Sequence, residues 1–117
     1  MLGLEKSYSH KGFGVLCFPC NQFNGQEPGT SSEIQDFVNT NWPGNKFVMM
    51  EKSDVNGDNT NDAFECLKEN SELGRGGKIT WNFGKFLCST SSGACKYFGP
   101  NVDPDSMISD IEKILNE

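Results

Sequence analysis

Short apolar runs alternate with helix-period stripes along the chain, and this alternation restricts the fold more than any other feature. Within Gly14 to Phe18, Val15-Leu16-Cys17-Phe18 is an apolar run ended by Pro19, which predicts a strand buried on both faces. Thr30-Ser31-Ser32-Glu33 has the Ser/Thr-x-x-Glu spacing of a capping box. The helix it opens carries Ile34, Phe37 and Val38 on one face until Trp42-Pro43 stops it. Lys46 to Glu51, with Phe47-Val48-Met49-Met50, predicts a second strand, and Asp62 to Lys68 a short helix. Phe83 to Ser89 and Ala94 to Phe98 are strands joined through Ser91-Ser92-Gly93, a hairpin by spacing. Asp103-Pro104 has the pattern of an N-cap followed by proline at the first helical position. Met107, Ile108, Ile111, Ile114 and Leu115 then form a core-facing stripe. Leu4 to His10 adds a helix-like segment ahead of the first strand. The order β-α-β-α-β-β-α predicts an α/β layer with a parallel part and a terminal hairpin.

Composition closes off several classes. At 117 residues, with no Ser/Pro/Gly-rich linker, the chain predicts a single domain, 1–117. Hydrophobic residues make up 35%, and with the 13 glycines the apolar share approaches globular usage, which excludes disorder. A net charge of −6 argues against a nucleic-acid partner and against an anionic membrane surface. No apolar run approaches about 18 residues, so stable membrane insertion is not expected. Met1-Leu2-Gly3-Leu4-Glu5-Lys6 has no stretch suited to a signal peptide. Five cysteines without a tight pairing pattern suit free thiols in a reducing compartment, and the expectation is a cytoplasmic protein.

Phe18-Pro19-Cys20-Asn21-Gln22-Phe23, followed by Gln26-Glu27-Pro28-Gly29, resembles the hallmark segment of glutathione peroxidases. Asp54-Val55-Asn56-Gly57 and Trp81-Asn82-Phe83-Gly84-Lys85-Phe86 follow in that family's order and spacing, and the resemblance covers essentially the whole chain. It implies a thioredoxin-like α/β fold of the glutathione peroxidase type, without the N-terminal strands, as one N-terminally incomplete domain. It also implies reduction of hydrogen peroxide and organic or lipid hydroperoxides by thiols, a response to oxidative stress. The chemistry requires a thiolate that attacks the peroxide oxygen, and fixed donors around the sulfur and the leaving oxygen. In the resembling family a glutamine, a tryptophan and an asparagine supply these donors, and they map onto Gln26, Trp81 and Asn82. Taken without the family, the same residues read as a loop glutamine, a packing tryptophan and a capping asparagine.

The attacking cysteine or selenocysteine of that family opens a helix whose end Leu4 to Gly12 matches, so its position is expected before Met1. By this reading the 117-residue chain alone is inactive or nearly so. Cys20 belongs to the strand-end motif and is not the attacker, and Cys17 is a packing residue. Thioredoxin-dependent members carry a resolving cysteine in the helix after Gln26-Glu27-Pro28, but Phe37-Val38-Asn39-Thr40 has asparagine there. Glutathione or another small thiol is therefore the implied reductant, with no further cofactor. Cys66, Cys88 and Cys95 occupy patterned positions and read as structural. The short Asn70 to Lys78 stretch implies a monomer with an open site that admits bulky lipid hydroperoxides.

Two alternatives accompany this reading. One is a non-catalytic glutathione peroxidase-like fragment that binds a partner through the retained surface. The other is a calcium loop, because Asp54, Asn56, Asp58, Thr60, Asp62 and Glu65 fall at ligand spacings. Against the calcium loop, Asn59 stands where the sharp turn wants glycine, and a strand-like segment enters the loop. A solvated acidic turn, with no metal, is the simpler expectation. His10 reads as a surface residue, and Gly74-Arg75-Gly76-Gly77-Lys78 as a flexible turn.

Overall fold

A computed structural model describes residues 2–25, 27–80 and 82–116. Its elements run α1 (Leu2–Tyr8), a 3-10 turn (Ser9–Lys11), β1 (Leu16–Cys17), α2 (Ser31–Asn41), β2 (Val48–Met49), α3 (Asp62–Glu69), β3 (Lys85–Cys88), β4 (Cys95–Phe98), a second 3-10 turn (Pro104–Met107) and α4 (Ile108–Leu115). The expected order is present. β1 and β2 pair in parallel, Leu16 opposite Val48 and Cys17 opposite Met49, while β3 and β4 form the antiparallel hairpin. The described residues fall into two compact units, one from 2–19, 27–52 and 104–116, the other from 20–25, 53–80 and 82–103.

The first unit is built around α1, β1, α2, β2 and α4. Thr30 caps α2 as its spacing predicts: its Oγ1 accepts the Glu33 N–H at 3.2 Å, and Glu33 Oε1 accepts the Thr30 N–H at 3.3 Å. Lys52 reaches back to the chain entering this helix, donating from Nζ to the Gly29 carbonyl at 2.6 Å and the Glu27 carbonyl at 3.2 Å. Leu4, Ile34, Met107 and Ile111 are buried. Glu5 is buried too, because its carboxylate accepts the Lys46 N–H at 2.6 Å. At the surface Tyr8 donates its hydroxyl to Glu112 at 2.6 Å.

β1 departs from expectation. It spans only Leu16–Cys17, and Leu16 is 60% exposed, as is its register partner Val48 at 52%. A strand is covered on both faces only where layers stack against each side, and a two-stranded parallel pair leaves this apolar register pair facing outward. Phe37 likewise sits on the exposed side of α2, where it meets Trp42 edge-on at 5.9 Å, leaving Ile34 as the helix's buried residue. The last helix begins as a 3-10 turn from Pro104, and its stripe is buried at Met107 and Ile111.

The second unit packs α3 and the β3–β4 hairpin around Phe23, Val55, Phe64, Ile79, Leu87 and Phe98. Asn61 caps α3, its Oδ1 accepting the Phe64 N–H at 2.8 Å. Phe86 of β3 lies between Phe64 of α3, edge-on at 5.6 Å, and its cross-strand partner Tyr97 at 5.1 Å. The hairpin is joined by residues 89–94, a longer connection than the Ser91-Ser92-Gly93 turn expected, with Gly93 in the left-handed region (φ 75°).

Candidate functional site

Within the second unit two side-chain amides join Gln22, the 54–57 block and Ile79. Gln22 faces the Val55-Asn56 backbone: its Oε1 accepts the Val55 N–H at 2.7 Å and the Asn56 N–H at 3.0 Å, while its Nε2 donates to the Asn56 carbonyl at 2.7 Å. Asn56 then does the same for Ile79. Its Oδ1 accepts the Ile79 N–H at 2.9 Å, and its Nδ2 donates to the Ile79 carbonyl at 2.8 Å. Each amide thus stands in for a strand neighbour, pairing both the N–H and the carbonyl of one backbone residue. Gly84 closes the chain of contacts, since a Cβ there would come within 2.9 Å of Ile79 Cγ2.

Lys68 secures this junction from below. Only 4% exposed, it donates from Nζ to the Val55 carbonyl at 2.5 Å and to Asn56 Oδ1 at 3.2 Å. Burial pushes its pKa down, against the pull of Glu65. These bonds commit Asn56 of the acidic turn to the protein's own backbone, and Thr60 Oγ1 donates to the Gly57 carbonyl at 2.7 Å. Among the described residues no group of three or more His, Cys, Asp or Glu gathers in a way that could hold a metal ion. Beside this junction the loop at 56–60, α3 and the turn at 75–78 line a cleft of about 710 Å³, at which Arg75 pairs with Glu69 at 3.1 Å.

Of the three donors expected from the sequence, Gln26 and Trp81 lie outside the described residues. Asn82 is half-buried and partnered. The backbone next to both expected donor segments is unusual. Asn24 and Gly25 have φ of 58° and 60°, and Phe83 has φ of 68°. A bulky residue at positive φ is strained and persists only where its surroundings hold it. Lys85 supplies that hold, donating from Nζ to the Phe83 carbonyl at 2.6 Å and the Gly99 carbonyl at 3.2 Å. Burial lowers the Lys85 pKa, with Asp103 acting in the opposite direction.

The cysteines present a uniform picture, all five being free thiols. Cys20 is buried, with its sulfur donating to Gln22 Oε1 at 3.3 Å and accepting the Gln22 N–H at 3.4 Å. Burial pushes the Cys17 thiol up, and the Glu5 carboxylate adds to it. Burial also raises Cys88, to about 12. His10 is exposed.

Sequence reasoning passed over Gln22, Asn56, Lys68 and Lys85. For Gln22, Asn56 and Lys85 a signal existed, because each lies within a quoted block; for Lys68 none did, since a lysine in a short helix ordinarily points to solvent.

The model of the family described as glutathione peroxidase matches residues 1–68. The glutathione peroxidase-like peroxiredoxin GPX5 of Chlamydomonas reinhardtii is 43% identical over 113 residues, covering 97% of this chain and 69% of that protein. A probable phospholipid hydroperoxide glutathione peroxidase of Nicotiana tabacum is 40% identical over 115 residues, 98% of this chain and 68% of its own length. The hydroperoxy fatty acid reductase Gpx2 of Synechocystis is 39% identical over 117 residues, 98% and 72% respectively. A crystal structure of Trgpx in apo form superposes with a TM-score of 0.70 at 27% identity, covering 98% of this chain and 65% of that one. The chain therefore spans about two thirds of the length of these proteins, and its α/β architecture is the thioredoxin-like fold of the glutathione peroxidase type. With its blocks in order and joined through Gln22 and Asn56, the chain belongs to the glutathione peroxidase family, a family of peroxidases and hence of oxidoreductases.

Proposed function

We propose that this chain serves the thiol-dependent reduction of hydroperoxides to alcohol and water, with Gln26, Trp81 and Asn82 as donors around the reactive sulfur. The observation that carries the reading is the junction of Gln22, Asn56 and Ile79, which joins the blocks containing or flanking these donors. An amide or indole N–H donates without competing for the proton, so such groups favour the thiolate and the oxygen leaving the broken O–O bond. The thiolate takes the terminal peroxide oxygen and becomes a sulfenic acid; the alcohol leaves with a proton; two thiols then return the sulfur to its starting state, releasing water and a disulfide.

The sulfur that these donors would serve is not assigned to Cys17, Cys20 or Cys88: Cys20 is enclosed by Gln22, the Cys17 and Cys88 thiols are pushed up, and none of the five cysteines is the first residue of a helix. Asparagine at position 39, where a resolving cysteine would stand, favours glutathione or another small thiol as reductant. Relatives named for phospholipid hydroperoxides and hydroperoxy fatty acids support organic and lipid hydroperoxides as the substrate class. The exposed Phe83 ring offers apolar surface next to Asn82 for such an acyl chain. A monomeric, cytoplasmic protein is the accompanying reading. Among the described residues no helix is long and apolar enough to cross a membrane.

The test uses glutathione and cumene hydroperoxide, with the chain alone and with the chain joined behind the leading segment of the Chlamydomonas relative. The joined protein is expected to turn over, and Gln26→Ala, Trp81→Phe or Asn82→Ala to lower kcat by about 10²–10³ each. Joined variants that keep full activity refute the donor assignment. Turnover by the chain alone that disappears in Cys20→Ser would move the attacking sulfur to Cys20.

A further inference from the structure

Cys88 and Cys95 are direct register partners across β3 and β4. Their pair is of the non-hydrogen-bonded kind. The adjacent pair carries the ladder bond, Ser89 N–H to the Ala94 carbonyl at 3.0 Å, and bonded and unbonded pairs alternate along an antiparallel ladder. The outward N–H groups agree with this assignment: Cys95 donates to the Asn70 carbonyl at 3.2 Å, and Tyr97, two residues on, to Glu72 at 2.9 Å. In unbonded pairs the Cα atoms stand about 4.5 Å apart with side chains on one face, within the roughly 4.4–6.8 Å that a disulfide spans.

The surroundings favour contact between the sulfurs. Cys88 and Cys95 lie on the same hairpin face as Phe86 and Tyr97, the face that α3 covers through Phe64. Cys66 lies two residues beyond Phe64 on α3, exposed, with its sulfur accepting from Asn70 Nδ2 at 3.4 Å. The Cys95 sulfur donates to the Gly93 carbonyl at 3.8 Å, and burial, with the neighbouring Cys95 and Cys66 sulfurs, pushes the Cys88 thiol up. Both hairpin thiols are half-buried, so each retains a solvent-facing side.

We propose that Cys88 and Cys95 are a redox-active pair that closes into a cross-strand disulfide when the protein meets hydroperoxide. Burial holds the proton on Cys88, which leaves Cys95 as the attacking sulfur. The Cys95 thiolate attacks the terminal oxygen of the hydroperoxide; the S–O bond forms, the O–O bond breaks, and the alkoxide takes up a proton as alcohol. The Cys88 sulfur then attacks the Cys95 sulfenic acid. The S–S bond forms, the S–O bond breaks, and hydroxide leaves with the Cys88 proton as water. Two thiols are oxidised and one hydroperoxide is reduced, and glutathione reverses the closure by exchange. Neither step involves Gln26, Trp81 or Asn82.

The test treats the full chain with tert-butyl hydroperoxide, alkylates the remaining thiols, and maps tryptic peptides without reduction. Cleavage after Lys85 and Lys96 leaves both cysteines in the peptide 86–96. That peptide is expected to become lighter by two hydrogens, to lose both alkylation sites together, and to regain them after glutathione. In Cys95→Ser the internal link is lost and Cys88 stays alkylatable. Residues 88 and 95 that remain alkylatable in the oxidised wild-type chain would overturn the proposal, whatever the variants do. So would independent sulfinic acids at the two positions, or a Cys66–Cys88 link in their place. Loss of peroxidase turnover in the donor variants leaves this peptide unchanged, so the two readings fail separately.

Discussion

Replacing Asn56 by alanine removes three hydrogen bonds and strands two backbone groups of a residue that is only 2% exposed. Ile79 loses the acceptor of its N–H at 2.9 Å and the donor to its carbonyl at 2.8 Å, and Lys68 loses one of its two partners. A buried group left unpaired costs about 1–3 kcal/mol. Two such groups, with water reaching one of them through the space vacated, give a loss of about 3 kcal/mol. That is a large part of the ~5–15 kcal/mol that holds a domain folded. It corresponds to roughly a hundredfold change in an opening equilibrium. Amide hydrogen exchange reads this locally, and the Ile79 N–H is expected to exchange about a hundredfold faster in Asn56→Ala. Urea denaturation should move to a lower midpoint with little change in slope. Asn56→Asp is the informative control: it keeps both accepted bonds but sets a carboxylate oxygen against the Ile79 carbonyl, and should lie between the two. If Ile79 exchange is unchanged in Asn56→Ala, the amide is not what joins the 54–57 block to the chain entering Trp81, and the junction argument fails.

Two further outcomes follow from single contacts. Thr30→Ala removes the side-chain acceptor of the Glu33 N–H and half of the capping box, so chemical denaturation should report a loss of about 1 kcal/mol, while Thr30→Ser retains most of the stability. Both tyrosines should titrate above the ordinary 10.0: Tyr8 through its hydrogen bond to Glu112, and Tyr97 through burial. Because these folded-state values are raised, their contribution to stability is complete below the unfolded value and is lost as pH rises through the folded one. Phenolate absorbance should therefore develop only on the alkaline side of 10.0, and Tyr8→Phe should remove one of the two steps without abolishing the other.

Local signals in the sequence carried most of the element order. Thr30 and Glu33 at the start of α2 and Pro104 at the start of the last helix act within a turn or two of chain, among residues close in sequence. The blocks around Cys20, Asn56 and Asn82 were likewise legible, because they match the family's pattern in residue type, order and spacing. The burial of β1 was not. Val15-Leu16-Cys17-Phe18 has the composition of a covered strand, but coverage is a property of the neighbouring layers, and Leu16 stands exposed opposite Val48.

What the chain determined by itself is therefore what acts over short distances: caps, stops, the hairpin and the residue types of the motifs. Tertiary structure alone decided that Gln22 holds Val55, that Asn56 holds Ile79, and that Lys68 lies buried beneath both. It also decided that a hairpin closed by residues 89–94 sets Cys88 against Cys95, where a connection one residue longer or shorter would have separated them. The physical reason is common to these cases. A polar side chain or a thiol takes its role from the partner that burial leaves it, and that partner lies far away in sequence.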